Sequence, residues 1–471
     1  MMYDRVLAIA RRDPGGLAII DEDVRFTYGE LLGRADACAA TLAQEAGVGE
    51  GEIVATLLPN SADFAVALLA AARLGAILMP IDAALKDREV HGYFDRLAVR
   101  AAMTSTAFRD GRPDVVAHCS QTRWFSAESL PGPSNTATPR QTGPFEGVVA
   151  ALSTSGTSGV PKVAGRTHRG LLAGFEGLNK IIGVKSGDRI LGVTPFHHAH
   201  GLANAVVLSL LSGSTLVAMR RFLPRRLIEV VATYRVTVIV GSPFIFSAVA
   251  DSATGPAAFA SVRVAISSGE AVPMSTASAF EATAGRRIRE LYGSSETGIM
   301  TFDGHPVEGV EVAVVDEHGA PVEPGKTGQV LVRSNHLAMG YLGEGGGPLP
   351  LRDGFYVTGD LGHVDAHGVL VLDGRLSGRL NIAGIKVDPV EIERVILSLP
   401  QVSEVAVTGV TGARGLTVIK AAVVVRRGES LELEAVIAHC RRELAEHKIP
   451  RIVELVDAID VNTLGKRVHS A

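Results

Sequence analysis

The 471 residues are 46% hydrophobic and 20% charged, enough apolar surface for several buried cores, and at about 150 residues per domain they suggest about three units. Forty-six Lys and Arg against fifty Asp and Glu leave a net charge of −4, so there is no excess of cations to neutralise a phosphate backbone, which argues against nucleic-acid binding as a main role. Low charge with only 5% aromatics fits an α/β enzyme better than a disordered, fibrous or disulfide-stapled chain.

The start, Met1-Met2-Tyr3-Asp4-Arg5, leads into a short segment broken by Arg11, Arg12 and Asp13, which is no basic-then-apolar signal. Cys38, Cys119 and Cys440 are odd in number and far apart, so they read as reduced core or surface thiols. A cytoplasmic enzyme is expected. The most apolar windows are 64–81, interrupted by Arg73, and 236–250, too short to cross a bilayer; no membrane span is expected.

In chain order, 53–58 is a β-like apolar run, 61–74 has helical apolar spacing ending at Gly75, and 76–80 reads as a second strand. Strand, helix, strand in that rhythm predicts a buried, mostly parallel sheet flanked by helices. Further strands are expected at 190–193, 215–218, 236–240 and 262–266. Residues 130–143 hold three Pro among Ser, Asn, Thr and Gly and read as a solvated connector. From 307 to 332 the pattern changes to short strands with Glu-His-Gly and Pro-Gly turns, a small β-rich subdomain. Beyond a boundary near Arg375, 390–399 and 432–444 read as helices and 405–410 and 421–425 as strands, a compact α+β module. No internal repeat is apparent.

The apolar run 148–152 opens into Ser153-Thr154-Ser155-Gly156-Thr157-Ser158-Gly159-Val160-Pro161-Lys162. Gly lets backbone N–H groups turn toward an anion, hydroxyls add donors and Lys adds mobile positive charge, a combination suited to polyphosphate. The frame is not GxxxxGK[ST], and by composition alone a flexible Ser/Gly linker is the commoner reading, so the loop by itself decides little.

The loop and eight further segments resemble, in order and approximate spacing, the adenylate-forming superfamily of acyl-CoA synthetases, peptide-synthetase adenylation domains and luciferases. Those segments are 195–201 (Pro-Phe-His-His-Ala-His-Gly), 267–270 (Ser-Ser-Gly-Glu), 292–297 (Tyr-Gly-Ser-Ser-Glu-Thr), 325–333, 356–360 (Tyr-Val-Thr-Gly-Asp), Gly374-Arg375, 384–393 and 462–466 (Asn-Thr-Leu-Gly-Lys). The resemblance covers nearly the whole chain. It implies an α/β fold with a large N-terminal domain, 1–375, of α/β layers plus the β-rich subdomain. A small mobile α+β C-terminal domain, 376–471, follows.

The resemblance also implies the chemistry. A carboxylate attacks the α-phosphate of ATP to give acyl-AMP and pyrophosphate, a step governed by positioning and charge neutralisation, and a thiol then takes the acyl group. ATP and Mg²⁺ are the expected cofactors, coenzyme A is the preferred acceptor, and the phosphopantetheine arm of a carrier protein in trans is the alternative. The ATP site would comprise Thr154, Ser155, Gly156, Thr157, Ser158, Gly159, Lys162, Gly269, Glu270, Tyr292, Gly293, Ser294, Ser295, Asp360, Arg375 and Lys466. Within it Tyr292 matches the ring stacked on adenine, Asp360 the ribose-binding carboxylate, and Arg375 an Arg near ribose and phosphate. Glu296 with Thr157 would hold Mg²⁺, a hard cation that prefers oxygen ligands. Lys466, Lys162 and His198 are the expected catalytic groups, Lys466 offsetting charge at the α-phosphate. His198, His200, Ser242, Ser268, Gly269 and Gly293 would line the acid pocket.

Three His within 195–201 also invite a zinc reading, although no second Cys/His/Asp cluster has ligand spacing. His197 and His200 read instead as pocket wall or core, and His168 as a structural residue at a helix start. Gln329 replaces a frequent Glu, and Ser377-Gly378 occupies the hinge where Asp or Lys is common, a pair that can still pivot. His200 falls where amino-acid-activating members carry an Asp for the ammonium, which favours a plain acyl, aryl or hydroxy acid. Turnover-dead nucleotide binding is the remaining alternative, and the presence of Glu296 and Lys466 speaks against it.

Overall fold

The computed structural model describes residues 2–129, 147–154, 162–252, 255–375, 380–412, 415–426, 428–457 and 459. Within them the expected 130–143 connector, the phosphate-loop residues 155–161, the hinge pair and Lys466 are not included.

Two large sheets build the N-terminal domain. In one, Ile288–Ser294, Val264–Ser268, Val238–Gly241, Arg189–Gly192, Thr215–Ala218 and Leu17–Asp21 lie side by side in parallel, with antiparallel strands at both edges. In the other, Val148–Thr154, Ile77–Pro80, Ile53–Leu57, Val99–Thr104 and Arg123–Ser126 are parallel, and Lys162–Thr167 turns back antiparallel on Val148–Thr154. The helix Ala62–Leu74 lies between the sheets. Apart from Asp63 and Arg73 its residues are buried, as expected for a helix apolar on every side. Its small Ala side chains share one core with Val54, Leu78 and Ala150 of one sheet and Ile190, Leu216 and Val240 of the other. A buried helix start leaves orphan N–H groups. Here Ser61 Oγ accepts from Phe64 N and Asp21 accepts from Ala62 N.

Several expected strands begin one or two residues late, for one reason: the preceding helix or turn claims the first N–H. Ala76 N donates to Ala71 O, Val236 N to Val231 O and Val262 N to Phe259 O, so the strands start at Ile77, Val238 and Val264.

The β-rich layer is antiparallel throughout, with Val310–Val315, Gly328–Ser334, Phe355–Val364, Leu351–Arg352 and Leu370–Arg375. In the C-terminal domain, the hairpin of Leu380–Ile382 and Ile385–Val387 precedes the helix Pro389–Leu397. Val402–Thr411, Thr417–Val425 and Ile452–Leu455 then form a three-stranded sheet, with the helix Leu433–Glu443 on it. This domain has its own core around Ile392, Val405, Val423 and Cys440. All three cysteines are buried and free. No described helix is long and apolar enough to cross a membrane.

Candidate active site

The carboxyl ends of parallel strands in both large sheets open onto one cleft, the position where open α/β sheets place ligands. Thr154, Ser268 and Gly269, and Ser294 to Glu296 come from three strand ends; 197–200 follow a fourth, Asp360 comes from the β-rich layer, and Gly384, Ile385, His447 and Lys448 close the cleft from the C-terminal domain.

The histidine segment is pinned from two sides. Asn60 Nδ2 donates to the carbonyls of Gly192 and Thr194, at 3.3 and 3.1 Å, and Phe196 N donates to Asn60 Oδ1 at 2.8 Å. This buried amide welds a loop of one sheet to the strand end of the other. His200 Nε2 donates to Gly241 O at 2.9 Å while Nδ1 accepts from Asn204 Nδ2 at 2.8 Å. Burial, opposed by the Gly241 bond, pushes its pKa down to about 4. With both ring nitrogens used, His200 is a neutral structural pin, which removes it from a three-histidine zinc site. Asn204 sits in a π-helical turn, Leu202–Val207, between two α-helical pieces. His198 stands on the cleft wall, its pKa lowered to about 3 by burial and then by neighbouring His197. His168, at the start of the helix His168–Ile182, is buried away from the cleft and held near 4, chiefly by burial.

The acidic segment is equally fixed. Ser294 N donates to Thr297 Oγ1 and Thr297 N donates back to Ser294 Oγ, while Ser295 Oγ donates to the carbonyl of Ser153. Arg166, 3% exposed, donates to the Glu296 carbonyl at 3.3 Å. Burial draws the guanidinium down to about 10 against the pull of Glu296. The Glu296 carboxylate is 8% exposed, borders the cleft and accepts a long 3.4 Å bond from Tyr341. Asp360 accepts from the Tyr292 hydroxyl at 2.5 Å and its N–H donates to Thr358 Oγ1. The Tyr292 ring packs against the cluster around Met300 and Val330. Arg375 is paired through its backbone with Asp360.

The sequence-predicted residues thus divide. Thr154, His198, His200, Ser268, Gly269, Gly293, Ser294, Ser295, Glu296 and Asp360 are brought to one cleft. Lys162 is exposed, pairs through its backbone with Thr154, and holds its ammonium 4.8 Å over the Tyr341 ring beside a neighbouring cavity. Ser242 is buried behind the hairpin tip rather than on the cleft wall. Ser155, Gly156, Thr157, Ser158, Gly159 and Lys466 lie outside the described residues.

The C-terminal lip meets the cleft through two glycines. Gly269 (φ +100°) and Gly384 (φ +88°) touch backbone to backbone, and a Cβ at Gly269 would stand 2.7 Å from Gly384 Cα. Asn381 donates to the Gly269 carbonyl. Glu270, one oxygen of which is buried without a hydrogen-bond partner among the described residues, has its pKa raised to about 7 by burial, a rise moderated by a bond from the Gly384 backbone. Lower on the lip, Lys448 Nζ sits 2.6 Å from Glu89 of the N-terminal domain and 2.9 Å from Glu391, all three side chains largely buried. Burial alone would depress this ammonium, but the two carboxylates raise its pKa. Asn60, Asp82, Arg166, His447 and Lys448 escaped sequence reasoning. A charged Arg inside the small-residue strand Lys162–Thr167 was the one local signal.

A family model described as AMP-binding enzyme matches residues 7–342, and one described as AMP-binding enzyme C-terminal domain matches 391–466. The 4-chlorobenzoate–CoA ligase of Arthrobacter sp. is 31% identical, the match covering 98% of this chain and 93% of that protein. The indoleacetate–CoA ligase of Aromatoleum aromaticum is 30% identical, covering 96% and 94%. Among solved structures, the o-succinylbenzoate CoA synthetase of Bacillus subtilis superposes with a TM-score of 0.87 at 22% identity, covering 98% of this chain and 96% of that one, a likeness of fold.

Proposed function

The chain belongs to the AMP-binding enzyme family, within the adenylate-forming superfamily, and from that premise we propose that it couples a carboxylic acid to ATP as acyl-AMP and passes the acyl group to coenzyme A. The observation that carries this reading is the cleft itself. One wall, Thr154, Ser268 to Gly269, Ser294 to Glu296 and Asp360, is built for a nucleotide and a carboxylate, and the opposite lip belongs to a separately cored domain.

In this reading Asp360, oriented by the Tyr292 hydroxyl, accepts the ribose hydroxyls, and the Tyr292 ring borders adenine. The hydroxyls and glycines of 154–159 would bind the phosphates, joined by Lys162 once its ammonium leaves the Tyr341 ring. Glu296 fits a hard cation: a fixed carboxylate on the cleft wall whose one hydrogen bond among the described residues is long. With Thr157 it would hold Mg²⁺, which supplies charge neutralisation at the phosphates. His198 and the 268–269 strand end border the acid. No carboxylate stands where His200 is pinned, so neutral acyl, aryl or hydroxy acids are the favoured class over α-amino acids. We place the domain boundary at 375/376, just past the last residue paired to Asp360, with Ser377-Gly378 as the pivot. Lys466 serves acyl-adenylate formation in a second orientation of the C-terminal domain, and the orientation described here, with Gly384 on Gly269, serves the thiol step.

The test is carboxylate-dependent exchange of labelled pyrophosphate into ATP over a panel of acids, repeated with coenzyme A and thioester detection. Exchange with neutral acids and thioester formation with coenzyme A are expected. Release of ADP and phosphate, or exchange only with ordinary amino acids, would overturn the reading. Thioester formation only on a carrier protein would move the acceptor.

A further inference from the structure

One residue of the C-terminal lip adds an imidazole to the cleft from the domain opposite the other histidines. His447 lines the cavity together with Asp82, His197 and His198 of the N-terminal domain. Its ring is half-buried, and among the described residues no hydrogen bond engages it, in contrast with the doubly bonded His200.

Two neighbours in sequence fix its place. Lys448 is clamped between Glu89 and Glu391, and Ala445 is buried in the apolar cluster of the N-terminal domain that includes Leu85 and Val90. His447 therefore reaches the cleft only when the C-terminal domain is docked in this orientation, the one assigned above to the thiol step.

Resting on that reading, we propose that His447 is the group that takes the proton from the acceptor thiol as it attacks the acyl-adenylate. The sulfur–carbon bond forms at the acyl carbonyl. The carbon–oxygen bond to the phosphate breaks, its electron pair leaves with AMP, and the thiol proton passes to the free ring nitrogen of His447. A thiol with a pKa of about 8.5 is mostly protonated at neutral pH, and the thiolate is the nucleophile, so this step gains from a positioned acceptor.

The groups facing the ring suit the task. Asp82, Glu89, His197, His198 and Lys448 are the charged or titratable side chains that act on it. Burial, and then the Lys448 ammonium, lower its pKa to about 4, so it enters the step neutral; such a base takes the proton as the sulfur–carbon bond forms, when the attacking sulfur has become far more acidic than the free thiol. Asp82 and Glu89 oppose that shift and favour the imidazolium once it forms. Burial works to raise the Asp82 pKa, but His197 and a bond from Ala84 N outweigh it, so Asp82 remains an anion. The arrangement couples chemistry to domain position: the base is absent while acyl-adenylate forms and present when the thiol must react.

The experiment supplies pre-formed acyl-adenylate and coenzyme A to the full-length protein in a single turnover and follows thioester from pH 6 to 9. It compares wild type with His447→Gln and His447→Ala. Wild-type thioester formation tests the parent reading by itself. The inference predicts a shallow wild-type profile. Both variants should be slower by about 10²-fold near pH 7, with a rate rising about tenfold per pH unit toward the thiol pKa and partial rescue of His447→Ala by added imidazole. Variant rates equal to wild type, or a loss constant across pH and without rescue, would overturn it.

Discussion

The two sides of the cleft are held in different ways. On the N-terminal side each functional group is the end of a strand whose body is locked in a core spanning two sheets, and polar pins such as Asn60 and Arg166 tie the strand ends to one another. On the C-terminal side the domain carries its own core, and its grip on the cleft includes the Gly269–Gly384 contact, the Asn381 and Glu270 bonds, Ala445 and the Lys448 clamp. The first side is as rigid as the fold. On the proposed reading the second leaves without unfolding anything, so changes there should read out one half-reaction rather than both.

The largest effect belongs to the fixed side. Glu296→Gln keeps shape and removes a charge; acyl-adenylate formation should fall by about 10²- to 10³-fold, the scale of losing one preorganised electrostatic group. Titration with Mg²⁺ at fixed ATP checks it, with a higher Mg²⁺ requirement expected. On the lip, Lys448→Met leaves Glu89 and Glu391 buried without their cation, a break worth about 3–5 kcal/mol in buried pairs. That cost falls on the docked orientation, so thioester formation should drop by about 10²-fold or more.

Gly384→Ala is milder. A Cβ at φ +88° costs about 1–2 kcal/mol, which should slow the thiol step about tenfold, measurable by thioester formation from supplied acyl-adenylate. The smallest effect separates fold from site. Buried His168 has a folded pKa near 4, below the free value of 6.5. A group with a depressed folded pKa contributes stability that is present above pH 6.5 and lost as pH falls through the folded value. Thermal unfolding of wild type should therefore weaken between pH 6.5 and 4, and more steeply than in His168→Asn.

The alternation of strand and helix from 53 to 80 and the later β-rich pattern were legible because periodicity and turn residues act locally. The same holds for Ser268, Glu296 and Asp360, each carried in a segment whose neighbours resemble a known order. Asp82 and His447 were not legible, being 365 residues apart and brought together by domain docking that leaves no periodic trace. Asn60 likewise acts across sheets. His200 was legible as a position but not as a role, since only its bonds to Gly241 and Asn204 make it a pin. Lys162 shows the converse: its motif pointed to the phosphates, while its side chain stands over Tyr341.

The most direct measurement is the pair of single-turnover rates, acyl-adenylate formation and thioester formation, on Lys448→Met and Lys466→Ala side by side. If the lip serves the thiol step and the carboxy-terminal Lys serves adenylation, Lys466→Ala should lose about 10²-fold in the first rate and little in the second. Lys448→Met should show the reverse. Equal losses in both rates for both variants would contradict the account, because they would mean that the C-terminal domain sits in one place throughout the reaction.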